Sequence, residues 1–452
     1  MADTPDQEKR IQRVLAITRA IEHEDLAPIA GVLEGLHPAE IARLVEALPP
    51  SDRASLWSQI DPELQSEVLA DLNDEVRATL LTAMDTAELV VATNELDADD
   101  LADVLQDLPY DRVQDILRAM DEQNRQRVEE ILSYSEDSAG GLMNTDVVRI
   151  RPDITLDVVQ RYLRMRGELP DTTDILMVVD RDNRFEGVLP IADLLTRDPQ
   201  TEVAQALKKD STVVPASMSA TEVAHLFEQR DLISAPVLDE RGHLLGRITI
   251  DDAVDVLREE HDRSMMGRAG LDEEEDMFAP VALSVRRRGI WLGINLATAF
   301  LASWVVGLFE HALEQVVALA VLMPVVASMG GIAGGQTLTL VVRGMAMDQV
   351  TPANSRWLLI KEASVGLFNG LIWAVVVAAV AMAWFRDAKL GGVIAAAMIL
   401  NLLIAAVAGV LIPIIQRRMG IDPALAGYVV LTTFTDVVGF FTFLGLGSLL
   451  LL

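Results

Sequence analysis

The chain has 452 residues, 51% of them hydrophobic, which at about 150 residues per domain leaves room for roughly three domains and argues against wholesale disorder. Its 37 basic and 68 acidic residues give a net charge of −31, yet the stretch after Pro280 holds 10 basic and 7 acidic residues, so the negative excess belongs to the first 280. An acidic body of this kind repels nucleic acid and anionic lipid and attracts cations; with no cysteine and six scattered histidines, a disulfide scaffold is excluded and any metal chemistry must use oxygen ligands.

Residues 1–10 are polar and charged, so no cleavable secretory signal is expected. Leu36, Leu48, Ile60, Leu72, Met84, Leu96, Leu108, Met120 and Leu132 then recur every twelve residues. Most are followed by a residue that starts helices: His37, Pro49, Asp61, Asn73, Asp85, Asp97, Pro109, Asp121 and Ser133. Within one unit Leu101, Val104, Leu105 and Leu108 fall at helical spacing, so the segment is read as a stack of short helices with the apolar repeat as its core. Asp97, Asp99, Asp100 and Asp103 crowd one helix start. Part of that charge complements the helix dipole; the excess makes a surface that repels its neighbours unless cations screen or bridge it.

From Asp146 the texture changes to β-branched strands alternating with helices, and residues 178–195 align without a gap on 237–254. Gly187 falls on Gly246, both expected at a strand-to-strand turn where positive φ is useful. Two similar α/β modules therefore lie in tandem. A second acidic run, Asp251, Asp252, Asp255, Glu259, Glu260 and Asp262, follows the second module.

From Gly289 onward, apolar stretches of bilayer-spanning length recur at 289–309, 316–342, 357–385, 391–415 and 424–452, which predicts five transmembrane helices. Arg286, Arg287, Arg288, Arg343, Arg356, Lys361, Arg417 and Arg418 lie on the side that also holds the acidic body, so that side is cytoplasmic and the C-terminus lies outside. Asp436 is the only acidic residue read as lying well inside a span. A carboxylate at the bilayer centre costs about 2.5 to 3.5 kcal/mol even on the gentlest scale, so it must face water, an ion or a partner. Thr432 and Thr433 share its helix face and can add hydroxyl or carbonyl oxygens; a protonated Asp436 hydrogen-bonded between helices is the alternative. If a dimer brings two copies together, a divalent cation offsets their repulsion, and Mg²⁺, which dehydrates reluctantly, is best held through its waters. Gly330, Gly331, Gly334 and Gly335 follow Pro324; they permit close helix approach, and local unwinding there would expose carbonyls. Asn401 and Asn369 read more readily as interhelical hydrogen-bond formers than as ligands, and Glu362 and Glu310 as solvated charges near span ends.

The tandem modules resemble a CBS (cystathionine β-synthase) pair. The whole ordered set resembles a bacterial MgtE-type magnesium channel: helical stack, Ser138-Ala139-Gly140-Gly141-Leu142-Met143, two modules, the acidic run 269–276 and five spans. The spans contribute Trp291-Leu292 with Asn295, Gly330-Gly331 with Gln336, then Asn401, Gly409, Pro413, Asp422-Pro423-Ala424, Thr432-Thr433 and Asp436. The resemblance implies a multidomain membrane protein with a cytosolic α-helical repeat domain (1–137), CBS-like α/β modules (138–200 and 201–262), a connecting plug-like helix (263–285) and a five-helix transmembrane pore domain (286–452).

It further implies a homodimer with its pore on the two-fold axis, set in the lipid bilayer of the bacterial inner membrane and taking up Mg²⁺ down its electrochemical gradient. The ion pathway carried over comprises Asp436, Thr432, Thr433, Gly330, Gly331 and Asn401. The cytosolic Mg²⁺ sensor places Asp99, Asp100 and Asp103 opposite Asp251, Asp252, Asp255, Glu259 and Glu260. CBS modules often bind adenine nucleotides, but Ala192 precedes Asp193 where such modules often carry a polar or basic residue, so nucleotide binding stays open. Two positions depart from the family pattern: Ile332 replaces an asparagine after Gly330-Gly331, and Gly427-Tyr428-Val429 replaces a Ser-x-Pro element. An amide can hydrogen-bond the waters of a hydrated ion and isoleucine cannot, so weaker discrimination of Mg²⁺ from Co²⁺ or Mn²⁺ is expected. The competing readings are a channel or carrier with another divalent preference and a non-conducting receptor for cations or nucleotides. An enzyme would need a second intramembrane acid or a G-x-x-x-x-G-K-[ST] loop, and the sequence has neither.

Overall fold

The structure, a computed structural model, describes residues 5–93, 96–106, 108–170, 172–267, 269–271, 275–347 and 349–452. The chain forms two compact units, Met1–His261 with Glu274–Pro280, and Asp262–Glu273 with Val281–Leu452.

The first unit opens with α1 (Pro5–Glu22) and α2 (Ala27–Leu33). The twelve-residue repeat follows as α3 (Pro38–Glu46), α4 (Pro50–Trp57), α5 (Pro62–Ala70), α6 (Asp74–Ala83), α7 (Thr86–Thr93), α8 (Ala98–Gln106), α9 (Tyr110–Ala119) and α10 (Glu122–Ile131). Each begins just after its repeat residue because the chain punctuates there. The imidazole of His37 accepts from Ala39 N, Asp61 and Asn73 accept from the amides two residues on, and Asp85 and Glu88 satisfy each other's amides at 2.9 Å. Proline opens α3, α4 and α5, where its missing N–H costs nothing. Leu36, Leu48, Ile60, Leu72, Met84 and Leu108 are buried in one core, and Leu96, Met120 and Leu132 pack against it.

The two modules are three-stranded sheets of the same plan. In the first, β1 (Arg149–Ile150) runs parallel to β2 (Ile175–Val179), which pairs antiparallel with β3 (Phe185–Pro190). In the second, β4 (Val214–Pro215), β5 (Ser234–Leu238) and β6 (Leu244–Thr249) repeat that order. The helices are α11 (Leu156–Arg166), α12 (Ile191–Thr196), α13 (Val203–Ala206), α14 (Ala220–Arg230) and α15 (Ile250–Gly267). Both hairpins carry the same register irregularity, at Val178/Val179 and at Val237/Leu238. Residues 139–144 hydrogen-bond to the second module, through Ala139 N to Met218 O, Gly140 N to Ala216 O and Asn144 N to Arg247 O.

The aligned glycines lie within strands rather than at the turn, and of the two only Gly187, at φ 154°, has the positive φ expected. Gly187 and Gly246 lie inside β3 and β6, opposite Val178 and Val237, and the turn residues with left-handed backbone are Asn183 (φ 61°) and Gly242 (φ 83°). What position 246 requires is close approach, since a Cβ there would lie 2.5 Å from the Asn144 carbonyl oxygen. Gly246→Ala is therefore expected to cost about 1 to 3 kcal/mol by overpacking and to lower the cytosolic unfolding midpoint by several degrees. Gly31→Ala, in open space on α2, is the control that thermal unfolding of the full-length protein should leave at or above wild type.

In the second unit, α16 (Val281–Gly307), α18 (Val317–Ala346), α19 (Ser355–Phe385), α20 (Ala388–Arg418) and α21 (Pro423–Leu451) are the long apolar helices, with short α17 (Glu310–Gln315) between the first two. Half of the apolar window of α20 is buried, against 11% for α16, so α20 is the central helix of this unit. The helix read at 263–285 differs in the structure: α15 runs unbroken from the second module to Gly267, and helix resumes only at Val281. Gly270, at φ 70°, and Pro280 break the chain between, while residues 272–274 of the acidic run lie outside the described residues.

Candidate functional site

Two clusters of oxygen atoms emerge, one in each unit. In the membrane unit, Asp436 is half-buried on α21 and, among the described residues, has no hydrogen-bond or ion-pair partner. Thr432 donates to Tyr428 O at 3.0 Å and to Val429 O at 3.1 Å, and Thr433 donates to Val429 O at 2.7 Å. Their protons are spent within the helix, which leaves hydroxyl lone pairs outward-available beside Asp436.

The glycines after Pro324 approach neighbouring helices without unwinding, since α18 is helical throughout Val317–Ala346. Local unwinding, expected from the sequence, is absent, and Gly330, Gly334 and Gly335 are instead met by the side chains of Asn401, Leu431 and Tyr428. A Cβ on Gly330 would lie 2.5 Å from Asn401 Nδ2, and one on Gly439 would lie 3.1 Å from Asn401 Oδ1. Asn401 is fully buried on α20 and donates from Nδ2 to Val326 O at 2.7 Å. It is thus an interhelical clasp between α18, α20 and α21. Gly331 has open space around it, Ile332 is 57% exposed beside it, and Tyr428 packs over Gly335.

Glu362 is not the solvated end-of-span charge its position suggests. Because α19 begins at Ser355, Glu362 sits two turns inside the helix, is 4% exposed, accepts from Thr337 Oγ1 at 3.1 Å and pairs with Lys361. Burial of such a carboxylate is tolerable only with these partners.

In the first unit, α8 joins two cores. Leu101, Val104 and Leu105 pack into the repeat, whereas Ala102 belongs to the core of the second module with Ile131, Ala139, Val237 and Ile248. That double anchorage presses Asp99 and Asp100 against the start of α15, where Asp251 and Asp252 cap the chain: Asp252 accepts from Thr249 N at 3.0 Å and Asp251 from Thr249 Oγ1, whereas Asp103 lies among Arg77, Glu136 and Asp74.

The electrostatic consequence is severe. Burial, then the charges of Asp252, Asp100 and Asp97, raises the Asp99 carboxyl well above the usual range, and its buried Oδ1 has no hydrogen-bond partner. Burial and Asp97, opposed by Arg77, bring Asp100 to about 6, with Asp251 and Asp71 adding to the rise. Burial, opposed by Arg77 and reinforced by Glu136, Asp100 and Asp74, brings Asp103 to about 8. Asp252 rises to about 7, through burial and the charges of Asp251 and Asp100 against its Thr249 hydrogen bonds. Asp255 is raised by burial despite Arg258 at 3.2 Å, and Asp71 by burial and Asp255 against His37 and Arg43.

Most of the charges read from sequence thus meet, Asp103, Glu259 and Glu260 excepted. Glu259 is exposed and Glu260 half-buried further along α15, and the α15 charges acting most strongly on α8 are Asp251 and Asp252. Asp97, part of the acidic helix start read from sequence, and Asp71 and Arg77, which the sequence did not single out, also belong to the interface; Asp97 accepts from Asn144 Nδ2 at 3.0 Å, and Arg77 holds Asp74 at 2.6 Å. Among the described residues no three His, Asp or Glu side chains have direct metal-ligand spacing.

Residues 323–446 match the divalent cation transporter family MgtE, residues 36–137 the MgtE intracellular N domain, and residues 139–199 and 203–259 the CBS domain. The chain is 34% identical over 335 residues to the magnesium transporter MgtE of Thermus thermophilus, which covers 74% of each protein. It is 29% identical over 330 residues to the magnesium transporter MgtE of Bacillus subtilis, covering 73% of each. The crystal structure of the cytosolic domain of the Mg²⁺ channel MgtE in complex with ATP aligns at a TM-score of 0.50 and 32% identity, over 54% of this chain and 99% of that one. Matches in this order, to relatives covered over nearly three quarters of their length, settle the family: the chain belongs to the MgtE magnesium transporters, multi-pass membrane proteins with an intracellular N domain that move divalent cations and are not enzymes.

Proposed function

We propose that the protein is a Mg²⁺ channel of the bacterial inner membrane, taking the ion up down its electrochemical gradient through a pore on the two-fold axis of a homodimer, with the C-terminus outside. The observation that carries this is Asp436, a half-buried carboxylate on a membrane helix with no partner among the described residues. Such a charge is costly unless an ion or water answers it, and two copies about an axis would repel without a cation between them. Thr432 and Thr433 supply oxygens for the ion's water shell, while Gly330, with Asn401 wedged against it, sets the spacing of the helices around it.

The acidic interface of α8 and α15 is read as the cytosolic sensor that closes the pore when Mg²⁺ is plentiful. Among the described residues no three acidic or histidine side chains have direct metal-ligand spacing, and an ion that keeps its waters needs no such set. An adenine nucleotide at the CBS pair has weaker support. Asp193, held by Arg197 at 3.2 Å, sits at the strand-to-helix turn of the first module, where acidic and basic groups together suit a ribose and its phosphates.

Metal-resolved uptake by purified protein in liposomes, across Mg²⁺, Co²⁺, Mn²⁺, Ca²⁺ and Zn²⁺, tests the reading; a protein that carries no Mg²⁺ ends it. The same assay tests selectivity. Ile332 is exposed beside Gly331, so Ile332→Asn is expected to sharpen the preference for Mg²⁺ over Co²⁺ and Mn²⁺ by several-fold. Identical competition curves for the two proteins would remove position 332 as a determinant.

A further inference from the structure

The most deeply buried ion pair described in the first unit lies outside both clusters. Arg53, on α4, is 1% exposed, and its guanidinium meets the Asp276 carboxylate in a fork, Nη1 to Oδ2 at 2.6 Å and Nη2 to Oδ1 at 2.9 Å. Its Nε donates to Val45 O at 3.3 Å, so the arginine is held from both ends. Asp276 is equally fixed: its amide donates to Glu75 Oε2 at 2.7 Å, its Oδ1 accepts from Phe278 N at 2.9 Å, and its carbonyl accepts from Ala279 N at 3.0 Å. A short strap, 275–280, is therefore docked in the helical repeat 223 residues away in sequence, and Pro280 is followed directly by Val281, the first residue of the first membrane helix.

A buried pair of this kind is poor value as stability alone, since well-packed apolar residues often do as well. What it supplies is a single fixed geometry, with a large penalty for leaving either charge unpaired. We propose that the Arg53 socket of the helical repeat is a latch for the strap before the first span, so that movement of the repeat is passed to the membrane helix through Asp276. This rests on the gated-channel reading above and adds a second line of coupling to it, distinct from the acidic interface.

The test uses full-length protein in liposomes and the double variant Arg53→Met/Asp276→Leu, which removes both charges and orphans neither. Two readouts are taken on each protein: inhibition of flux by Mg²⁺ on the cytosolic side, and Mg²⁺ protection of the cytosolic part from proteolysis. The latch predicts that protection stays at the wild-type concentration while half-inhibition of flux moves to about tenfold more Mg²⁺, a coupling of ordinary allosteric size. Unchanged inhibition of flux overturns the latch and leaves the gating reading standing. Loss of protection together with inhibition shows that the pair merely holds the fold, and also overturns it. Wild-type flux that cytosolic Mg²⁺ does not inhibit overturns the gating reading, and the latch with it. The single variant Asp276→Asn, which keeps shape and loses charge, should reproduce the double variant's shift if it folds.

Discussion

Asp436→Ala should abolish divalent-cation flux in a protein that still folds and assembles. The side chain donates nothing to the fold that its removal would cost, having no hydrogen bond or ion pair among the described residues. Its charge, by contrast, acts on the ion directly: one unit charge about 4 Å from another is worth about 4 kcal/mol at an effective dielectric of 20, and a divalent ion doubles that. A fraction of this is enough for a loss beyond about a hundredfold. Asp436→Asn should fail as badly, because the amide keeps the shape and loses the charge. Thr433→Val should be far milder, since the hydroxyl proton is already spent on Val429 O at 2.7 Å and only a lone pair is lost. Wild-type flux through a well-folded Asp436→Ala protein would mean that the pathway runs elsewhere.

The helical repeat was legible because one short-range rule, a capping residue after an apolar one, recurs every twelve residues and needs no long-range information. The spans were legible for the same reason, since length and apolarity are local. The partnerships were harder. Gly187 and Gly246 look like turn glycines in the alignment, and only the packing of Asn144 against β6 reveals what position 246 is for.

Arg53 and Arg77 carried a signal that the repeat itself contains. Each lies five residues after its repeat residue, the phase at which Ile41, Leu89 and Leu101 are buried at 1%, 0% and 3% exposure. An arginine at a core phase must find a carboxylate; for Arg77 it is local, Asp74 three residues back, but for Arg53 it is Asp276 on a strap more than two hundred residues away, and no local pattern carries that. Glu362 is the converse case. Its place near the end of the apolar run suggested solvent, but α19 starts at Ser355, about two turns before Glu362, and carries it into the packed interior beside Thr337.

The acidic interface should make protons and Mg²⁺ interchangeable. Asp100, Asp252 and Asp103 are raised to about 6, 7 and 8 from an isolated value of 3.8, each mainly by burial and then by neighbouring carboxylates, with Arg77 the chief opposing charge on α8. A carboxylate raised on docking binds its proton more tightly in the docked state. Its contribution is therefore fully present below the isolated value and is lost as pH rises through the docked one. For this cluster the window runs from about pH 4 to about pH 8, at about 1.4 kcal/mol per pH unit for each group titrating within it.

Without divalent ions, the full-length protein should resist proteolysis between the helical repeat and the second module at about pH 5.5 and become progressively susceptible toward about pH 8.5. Millimolar Mg²⁺ should flatten that profile, because an ion bridging α8 and α15 binds only the docked state and removes the repulsion that protonation otherwise removes. K⁺ at matched ionic strength screens exposed charge but reaches buried carboxylates poorly, so it should protect far less. Asp100→Asn combined with Asp252→Asn should abolish most of the pH dependence and most of the Mg²⁺ response together, leaving the interface constitutively docked. If the double variant instead becomes more susceptible while the pH profile persists, Asp100 and Asp252 are not the groups that titrate on docking, and the response is carried by other carboxylates, Asp99 and Asp103 among them.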